Sequence, residues 1–475
     1  MSRSTTSIFD LAAAHPPHEP AIIEDSGTVS YGALIAISRS VADALHSTPA
    51  GAVRRPHFLF CSSSSAAIAT YLGCLAANQP VCLLDESRAG QSQRILDAFA
   101  PPVVLLREGS LDGYRHATTL PTGFQLLERI EPREAPAPHT DLALLLTTSG
   151  STGDPKLVRL TQDNLTANAR SIAQYLGLSS AERSTQSLPM YYSYGLSLIN
   201  SHLAAGAATV INPHSFLRPD FWNHVRDHHC TSFAGVPHMY ETLKRLRFDP
   251  ATQPTLRTLT QAGGKLADPL IQHYAQLTQA AGARFFVMYG QTEATARISY
   301  VPADQLAQKV GSIGVAIPGG ELALEAVEGA DGMQELIYRG PNVMLGYADS
   351  AASLALGDDM GGMLRTGDLG RVDADGFYYI TGRLKRFAKL FGKRVNLVDV
   401  ETMLEASYPV RAAALDSGRD TLLVFLEALA EFDLHALTQE AARTLGIPPS
   451  AIKPQAVAAL PMTGSGKKDY AALQA

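Results

Sequence analysis

Residues 144–158 read LLLTTSGSTGDPKLV, and the interpretation of the rest of the chain turns on this stretch. The apolar run over 142–146 has the pattern of a buried strand, and it passes into Thr147, Thr148, Ser149, Gly150, Ser151, Thr152 and Gly153. Small hydroxyl residues and glycines leave backbone N–H groups free to converge on an anion, and Lys156 adds a point charge. The nucleotide loop of P-loop NTPases is excluded. That loop needs four residues between its glycines and then Gly-Lys-Ser/Thr, whereas two residues separate Gly150 from Gly153. Alone, such a run is equally a flexible turn, so the decision comes from elsewhere in the chain.

The bulk properties set the frame. With 475 residues, 46% hydrophobic and 18% charged, the chain is too long for one ordinary core and implies two or more domains. A net charge of −6 argues against a general electrostatic grip on nucleic acid. No stretch approaches the ~18 apolar residues of a membrane span. The start, MSRSTTSIFDLAAAHPPHEP, lacks the basic-then-apolar layout of a secretion signal, so a cytoplasmic protein without a membrane span is expected. Cys61, Cys74, Cys82 and Cys230 show no C-x-x-C spacing and are expected to be buried free thiols.

Along the chain, amphipathic helices are expected over 8–14 and 31–45, followed by strands over 57–61, 81–85 and 103–106 that alternate with helices over 66–77 and 91–99. After the loop, Thr161 can cap a helix reaching about Leu176, with Asp163 in its first turn. Strands and helices then alternate as far as Tyr289. Such alternation predicts mostly parallel sheets with helices on their faces. From about Gly311 short runs with Gly and Pro suggest a small β-rich subdomain ending near Thr381, and the segment beyond it reads as a small α+β unit.

Four further motifs follow the loop in order: Tyr289-Gly290-Gln291-Thr292-Glu293, Arg365-Thr366-Gly367-Asp368, Gly382-Arg383-Leu384-Lys385 and Pro461-Met462-Thr463-Gly464-Ser465-Gly466-Lys467. Together with the loop they resemble the adenylate-forming (ANL, AMP-binding) superfamily of acyl- and aryl-CoA synthetases and stand-alone adenylation enzymes. The resemblance runs from Phe9 to the last residues. It implies an α/β fold with a large N-terminal domain, residues 1–384, of two βαβ-type subdomains plus a small β-rich subdomain. A small mobile α+β C-terminal domain, residues 385–475, follows and carries the catalytic lysine. The hinge falls at Lys385.

The implied reaction is ATP-dependent: a carboxylate attacks the α-phosphorus, giving an acyl-AMP and pyrophosphate, and the acyl group then passes to a pantetheine thiol. Two anions must meet, so cations and backbone donors should dominate the site. Glu293 is an acid that should not sit beside phosphates unless a metal stands between, which makes it the candidate Mg²⁺ ligand. The resemblance assigns Thr292 to the α-phosphate, Tyr289 to the adenine face with Gly290 in its motif, and Gly263 and Gly264 to the side of the adenine and acyl pocket. It assigns Asp368 to the ribose, Arg383 to ribose or phosphate, and Lys467 to the bridge between carboxylate and α-phosphate. The usual glycine after the loop lysine is replaced by Leu157, which tightens packing or alters loop closure.

The segment Pro189-Met190-Tyr191-Tyr192-Ser193-Tyr194-Gly195 aligns with a wall of the acyl pocket. Ser193 stands where amino-acid adenylation domains carry an aspartate, which favours an acid without an α-amino group. Tyr191, Tyr192, Tyr194, His238, Met239, Val287 and Met288 would line an aromatic and apolar site, suiting an aryl acid or a short to medium chain. Arg297 is either a partner for a second carboxylate or polar group or a surface residue. The acceptor is CoA or the phosphopantetheine of a separate carrier protein, and Gly392 falls in the segment bordering the pantetheine tunnel. Two rivals stay open: an adenylation enzyme loading a carrier protein, with a carboxylic or an amino acid, and a non-catalytic adenylate-binding module. His224 and His228 share a helix face and are read as the packed end of a helix, with no zinc.

Overall fold

The computed structural model describes residues 6–147, 156–327, 332–384, 386–391, 393–418, 420–462, 468–470 and 472–473. The chain divides into two compact units. The first comprises residues 1–322 and 338–364, the second residues 323–337 and 365–475.

The first unit is built on two large sheets. One has eight strands in the order Gly346–Ala348, Leu157–Thr161, Leu142–Thr147, Val81–Asp85, His57–Cys61, Val103–Leu106, Gln125–Arg129 and Tyr114–Thr119. Its centre is parallel, and the strands there are apolar runs buried on both faces: every residue of His57–Cys61 and Val103–Leu106 is buried. The helices Tyr31–His46 and Ser65–Ala76 lie close together, and a Cβ on Gly73 would come within 2.5 Å of Val41 Cγ1. All four cysteines are free and buried.

The second sheet has nine strands in the order Val315–Ala316, Ser299–Tyr300, Arg284–Tyr289, Thr258–Gln261, Ser232–Gly235, Arg183–Gln186, Ala208–Ile211, Pro20–Glu24 and Gly27–Ser30. The N-terminal hairpin therefore joins the sheet otherwise built from residues 183–316, through the parallel pairs Ile22 with Thr209 and Ile23 with Val210. The two subdomains are thus interleaved in sequence rather than divided at the loop.

The expected phosphate loop turns out to connect two antiparallel strands. Thr147 pairs with Leu157, and the strand Leu157–Thr161 leads directly into the helix Gln162–Leu176. Thr161 caps that helix as expected, in a reciprocal box with Asn164. Residues 148–155 of the loop lie outside the described residues. Leu157 is fully buried beside Leu142, Leu145 and Leu354, so the departure from glycine there serves packing.

Arg159, on the same strand, is fully buried. Its guanidinium donates to the carbonyls of Tyr347 (3.2 Å), Leu345 (3.3 Å), Gly357 (3.1 Å) and Leu356, and pairs with Asp359 at 2.7 Å. One side chain thereby fixes residues 345–359 to the edge of the sheet, where Tyr347 pairs with Val158.

The second unit holds most of a four-stranded sheet formed by Glu321–Ala326, Gln334–Arg339, Met363–Val372 and Tyr378–Arg383. Helices Leu397–Ser407 and Leu434–Leu445 accompany the three strands Val410–Asp416, Leu422–Ala428 and Ile452–Val457, with a core of Val400, Leu404, Ala412, Val424 and Leu437. Compactness thus groups residues 365–384 with the C-terminal segment. Among the described residues, no helix is long and apolar enough to cross a membrane.

Two outcomes test this packing. Arg159→Met strands several buried carbonyls and should lower the unfolding free energy by about 3–5 kcal/mol. Asp359→Asn should cost under about 1 kcal/mol, because Asp359 is half exposed and the carbonyl bonds survive. Denaturant titration of both variants checks the difference. His57 is fully buried, and burial pushes its imidazole down to about 4 despite the Nδ1 contact with the Arg55 carbonyl at 2.9 Å. The unfolded chain, with a histidine pKa near 6.5, binds a proton there that the folded chain does not. Stability should therefore be full above about pH 6.5 and fall by roughly 3 kcal/mol toward pH 4. His57→Gln should flatten that slope, whereas His18→Gln, at an exposed position, should leave it in place.

Candidate functional site

Tyr289 ends the strand Arg284–Tyr289, and the chain then makes a single 3₁₀ turn over Thr292–Ala294. The turn is closely confined. A Cβ on Gly290 would lie 1.7 Å from the Ala296 carbonyl oxygen, so only glycine lets the strand end fold back against 296–297. Asn342 secures the return, donating to the carbonyls of Ala294 and Arg297 at 2.8 Å each, while Thr295 Oγ1 donates to the Asn342 carbonyl at 2.7 Å.

Glu293 projects from this turn, and its Oε1 accepts a 2.7 Å hydrogen bond from the Tyr347 hydroxyl. Burial, and then the Glu293 charge, push the Tyr347 phenol far above its ordinary pKa, so it remains a neutral donor. Lys156, the first described residue after the loop, places Nζ 3.5 Å from the centroid of the same ring. Tyr347 thus separates a cation on its face from a carboxylate at its hydroxyl. No local pattern marks this residue, which lies 54 positions beyond Glu293.

Thr292 Oγ1 lies 3.2 Å from Ser193 Oγ. Ser193 opens the helix Ser193–Ala205, which sequence periodicity did not reveal, because nearly every residue in it is buried and no polar face marks its period. Gly195, in its first turn, would bring a Cβ within 2.1 Å of the Pro189 carbonyl. Gly263 has φ +89°, and a Cβ there would meet the Tyr192 hydroxyl at 2.7 Å, which places Tyr192 on the 262–264 segment. Tyr194 is buried and hydrogen-bonded to Thr260, Met239 and Met288 are buried, and His238 packs edge-on against Phe216. Tyr289 receives a 3.0 Å hydrogen bond from Gln291 Nε2.

Arg297 requires correction of one of the two alternatives. It is 2% exposed, which removes the surface role. Its Cζ sits 4.0 Å from the Tyr194 ring centroid.

The second unit carries its own pair of expected residues. Asp368 and Arg383 face each other across two antiparallel strands, with Oδ1 and Nε 2.7 Å apart. Arg365 bonds Glu335 at 3.0 Å and Thr366 Oγ1 bonds the Leu336 carbonyl at 2.7 Å, so the first half of this motif is structural. Thr148, Ser149, Gly150, Ser151, Thr152, Gly153, Lys385, Gly392 and Lys467 lie outside the described residues. Away from these motifs, His224 Nε2 meets Asp25 Oδ1 at 3.0 Å, the His224 and His228 rings lie tilted with centroids 4.2 Å apart, and one ligand atom from each of the three residues lies within 4.8 Å of the others.

The first unit, with its two large mixed sheets and the glycine-confined Thr-Glu turn that follows the strand Arg284–Tyr289, has the fold of adenylate-forming enzymes. Residues 9–348 match the AMP-binding enzyme family, and the chain belongs to it. It is 31% identical over 273 residues to oxalate–CoA ligase of Arabidopsis thaliana, spanning 56% of this chain and 52% of that one. It is 29% identical over 436 residues to indoleacetate–CoA ligase of Aromatoleum aromaticum, spanning 86% and 84%. The chain thus covers about half the length of the first relative and most of the second. The fold is also that of o-succinylbenzoate CoA synthetase of Bacillus subtilis, solved with ATP and magnesium, with a TM-score of 0.76 and 22% identity over 99% of each chain.

Gly290→Ala should displace the Thr292–Glu293 turn, lowering the unfolding free energy by about 2–3 kcal/mol. Gly264→Ala, whose Cβ meets only the Pro237 ring, Cγ at 3.2 Å and Cδ at 3.6 Å, should cost less than about 1 kcal/mol. Paired thermal and denaturant unfolding distinguishes them.

Proposed function

We propose that the chain is an ATP- and Mg²⁺-dependent carboxylic acid ligase that makes an acyl-AMP and then an acyl-CoA. The observation that supports it most is Glu293, oriented by a neutral phenol beside the Thr292 and Ser193 hydroxyls in a chain of the AMP-binding family. The CoA ligase names of the relatives favour CoA over a carrier-protein arm as acceptor.

A carboxylate oxygen of the acid attacks the α-phosphorus, and the bond to the β-phosphate bridging oxygen breaks, releasing pyrophosphate. The thiol sulfur then attacks the acyl carbon, its proton leaves to solvent, and the acyl C–O bond breaks to release AMP. The oxygen donor of Glu293 fits a hard divalent cation, which when bound supplies charge neutralisation at the phosphates. Tyr347 keeps that carboxylate aimed. Thr292 offers a hydroxyl to the α-phosphate, and Lys156 offers a charge to the outer phosphates. Tyr289 stacks on adenine beside Gly263 and Gly264, while Asp368 takes the ribose hydroxyls with Arg383 alongside. Lys467 bridges the carboxylate and the α-phosphate, and the segment beyond Lys385 turns between the two half-reactions. The acid is an aryl or a short- to medium-chain acid, accommodated among Tyr192, Tyr194, Met239 and Met288.

Pyrophosphate release from ATP, with a panel of acids and amino acids in the presence and absence of CoA, tests this. Steady turnover that needs one class of acid and CoA supports the ligase. Acid-dependent release that stalls with CoA supports carrier loading instead, and silence across the panel rejects catalysis. Lys467→Ala should lower acyl-AMP formation by about 100-fold or more while sparing thioester formation from supplied acyl-AMP, since it removes one transition-state contact of the first step alone. Equal loss in both steps would assign the lysine another role.

A further inference from the structure

Arg297 is a buried cation without a counter-charge among the described residues. Its Nε has no hydrogen-bond partner, and among the described residues no carboxylate forms an ion pair with it. Its side chain meets neutral phenols instead, through a hydrogen bond with Tyr175 and the face of Tyr194. Burial pushes Tyr175 up to about 12 and raises Tyr192 and Tyr194 as well, and the Arg297 charge only partly opposes this, so all three stay neutral. The face of Tyr194 offsets only part of the desolvation cost of an isolated buried charge. Nor can the side chain escape to water by shifting its backbone. The Arg297 carbonyl is held by Asn168 Nδ2 at 3.2 Å and by Asn342 Nδ2 at 2.8 Å, and Ile298 N–H bonds the Tyr289 carbonyl at 2.9 Å. The contrast with Arg159, whose donors all reach carbonyls or Asp359, shows what a structural buried arginine looks like in this same fold.

The unbalanced charge sits at the acyl side of the site. Tyr194 and Tyr192 bracket Ser193, Tyr192 reaches Gly263, and Tyr175 contacts Met288 Sδ at 3.0 Å. We propose that Arg297 binds a second anionic group on the acid, so that the substrate is a dicarboxylate, or a carboxylate bearing a sulfonate, on a short or aryl frame. This rests on the ligase activity proposed above and narrows its substrate class. One carboxylate is activated near Thr292 while the distal anion supplies the counter-charge that the fold leaves out. An acid of the same length without a second anionic group would leave the buried Arg297 without a counter-charge, which sets the preference.

The test is ATP–pyrophosphate exchange with matched acids, butyrate against succinate and benzoate against terephthalate, for the wild-type protein, Arg297→Met and Arg297→Lys. The wild type should favour the diacid of each pair. Arg297→Met should lower the diacid-to-monoacid ratio of kcat/KM by about 100-fold, and Arg297→Lys should retain part of the preference. Wild-type preference for the monoacids, or equal loss of both members of a pair in Arg297→Met, overturns the inference and leaves the ligase standing. Exchange with no acid at all rejects the ligase, and the anion site is then judged by binding alone. Succinate should raise the melting temperature of the wild type more than that of Arg297→Lys, and an equal shift in both overturns it.

Discussion

The first unit depends on one buried guanidinium. Arg159 carries its charge from the strand behind the glycine-rich loop into a cage of carbonyls from residues 345–357, closed by Asp359. A charge in that position is tolerable only when its donors are satisfied, and here they are satisfied by the carbonyls of Leu345, Tyr347, Leu356 and Gly357. The same contacts that neutralise the arginine therefore fix the segment carrying Tyr347, and through Tyr347 they fix Glu293. Order passes from a hydrophobic strand to a polar turn through a single side chain.

How much of this could be read from residues alone depends on the range over which each signal acts. The parallel strands His57–Cys61, Val81–Asp85 and Val103–Leu106 were legible because burial on both faces requires unbroken apolar runs. Thr161 was legible because capping acts over three residues. Glu293 could be singled out as an acid among anion-binding motifs, but its anchor Tyr347 could not, because nothing in a short window links positions so far apart. The hairpin 20–30 joins the second sheet through a parallel pair with Thr209 and Val210, a choice made by tertiary packing and invisible to periodicity. Arg297 was ambiguous for a related reason: residue type places arginine at the surface, and only the Asn168 and Asn342 contacts that pin its backbone take it inside.

The two buried arginines divide the uses of a buried cation. Arg159 spends its donors on backbone, so its charge is silent to ligands and its role is mechanical. Arg297 keeps its charge undischarged, in a setting of neutral phenols that solvate it without cancelling it. A fold that needed only to fill this space would gain from an apolar side chain of similar volume, since removing an unpaired buried charge is often stabilising. Retaining the cation makes sense where the missing counter-charge arrives from outside.

The same logic explains why Glu293 is held by a tyrosine rather than by a lysine or arginine. A cationic partner would orient the carboxylate equally well, but it would also neutralise it and compete with any divalent ion for its oxygens. A phenol whose pKa is driven up by burial and by the carboxylate itself donates one hydrogen bond and leaves the negative charge intact. Its ring does a second task. With Lys156 Nζ on the face and Glu293 at the hydroxyl, Tyr347 provides each charge with a contact that is not the other. Direct pairing of the two would satisfy both and disable both. Interposing an aromatic ring costs little in stability, since a cation–π contact and a charged hydrogen bond together offset the lost ion pair. It leaves a cation and an anion held at two parts of one ring, neither discharged by the other.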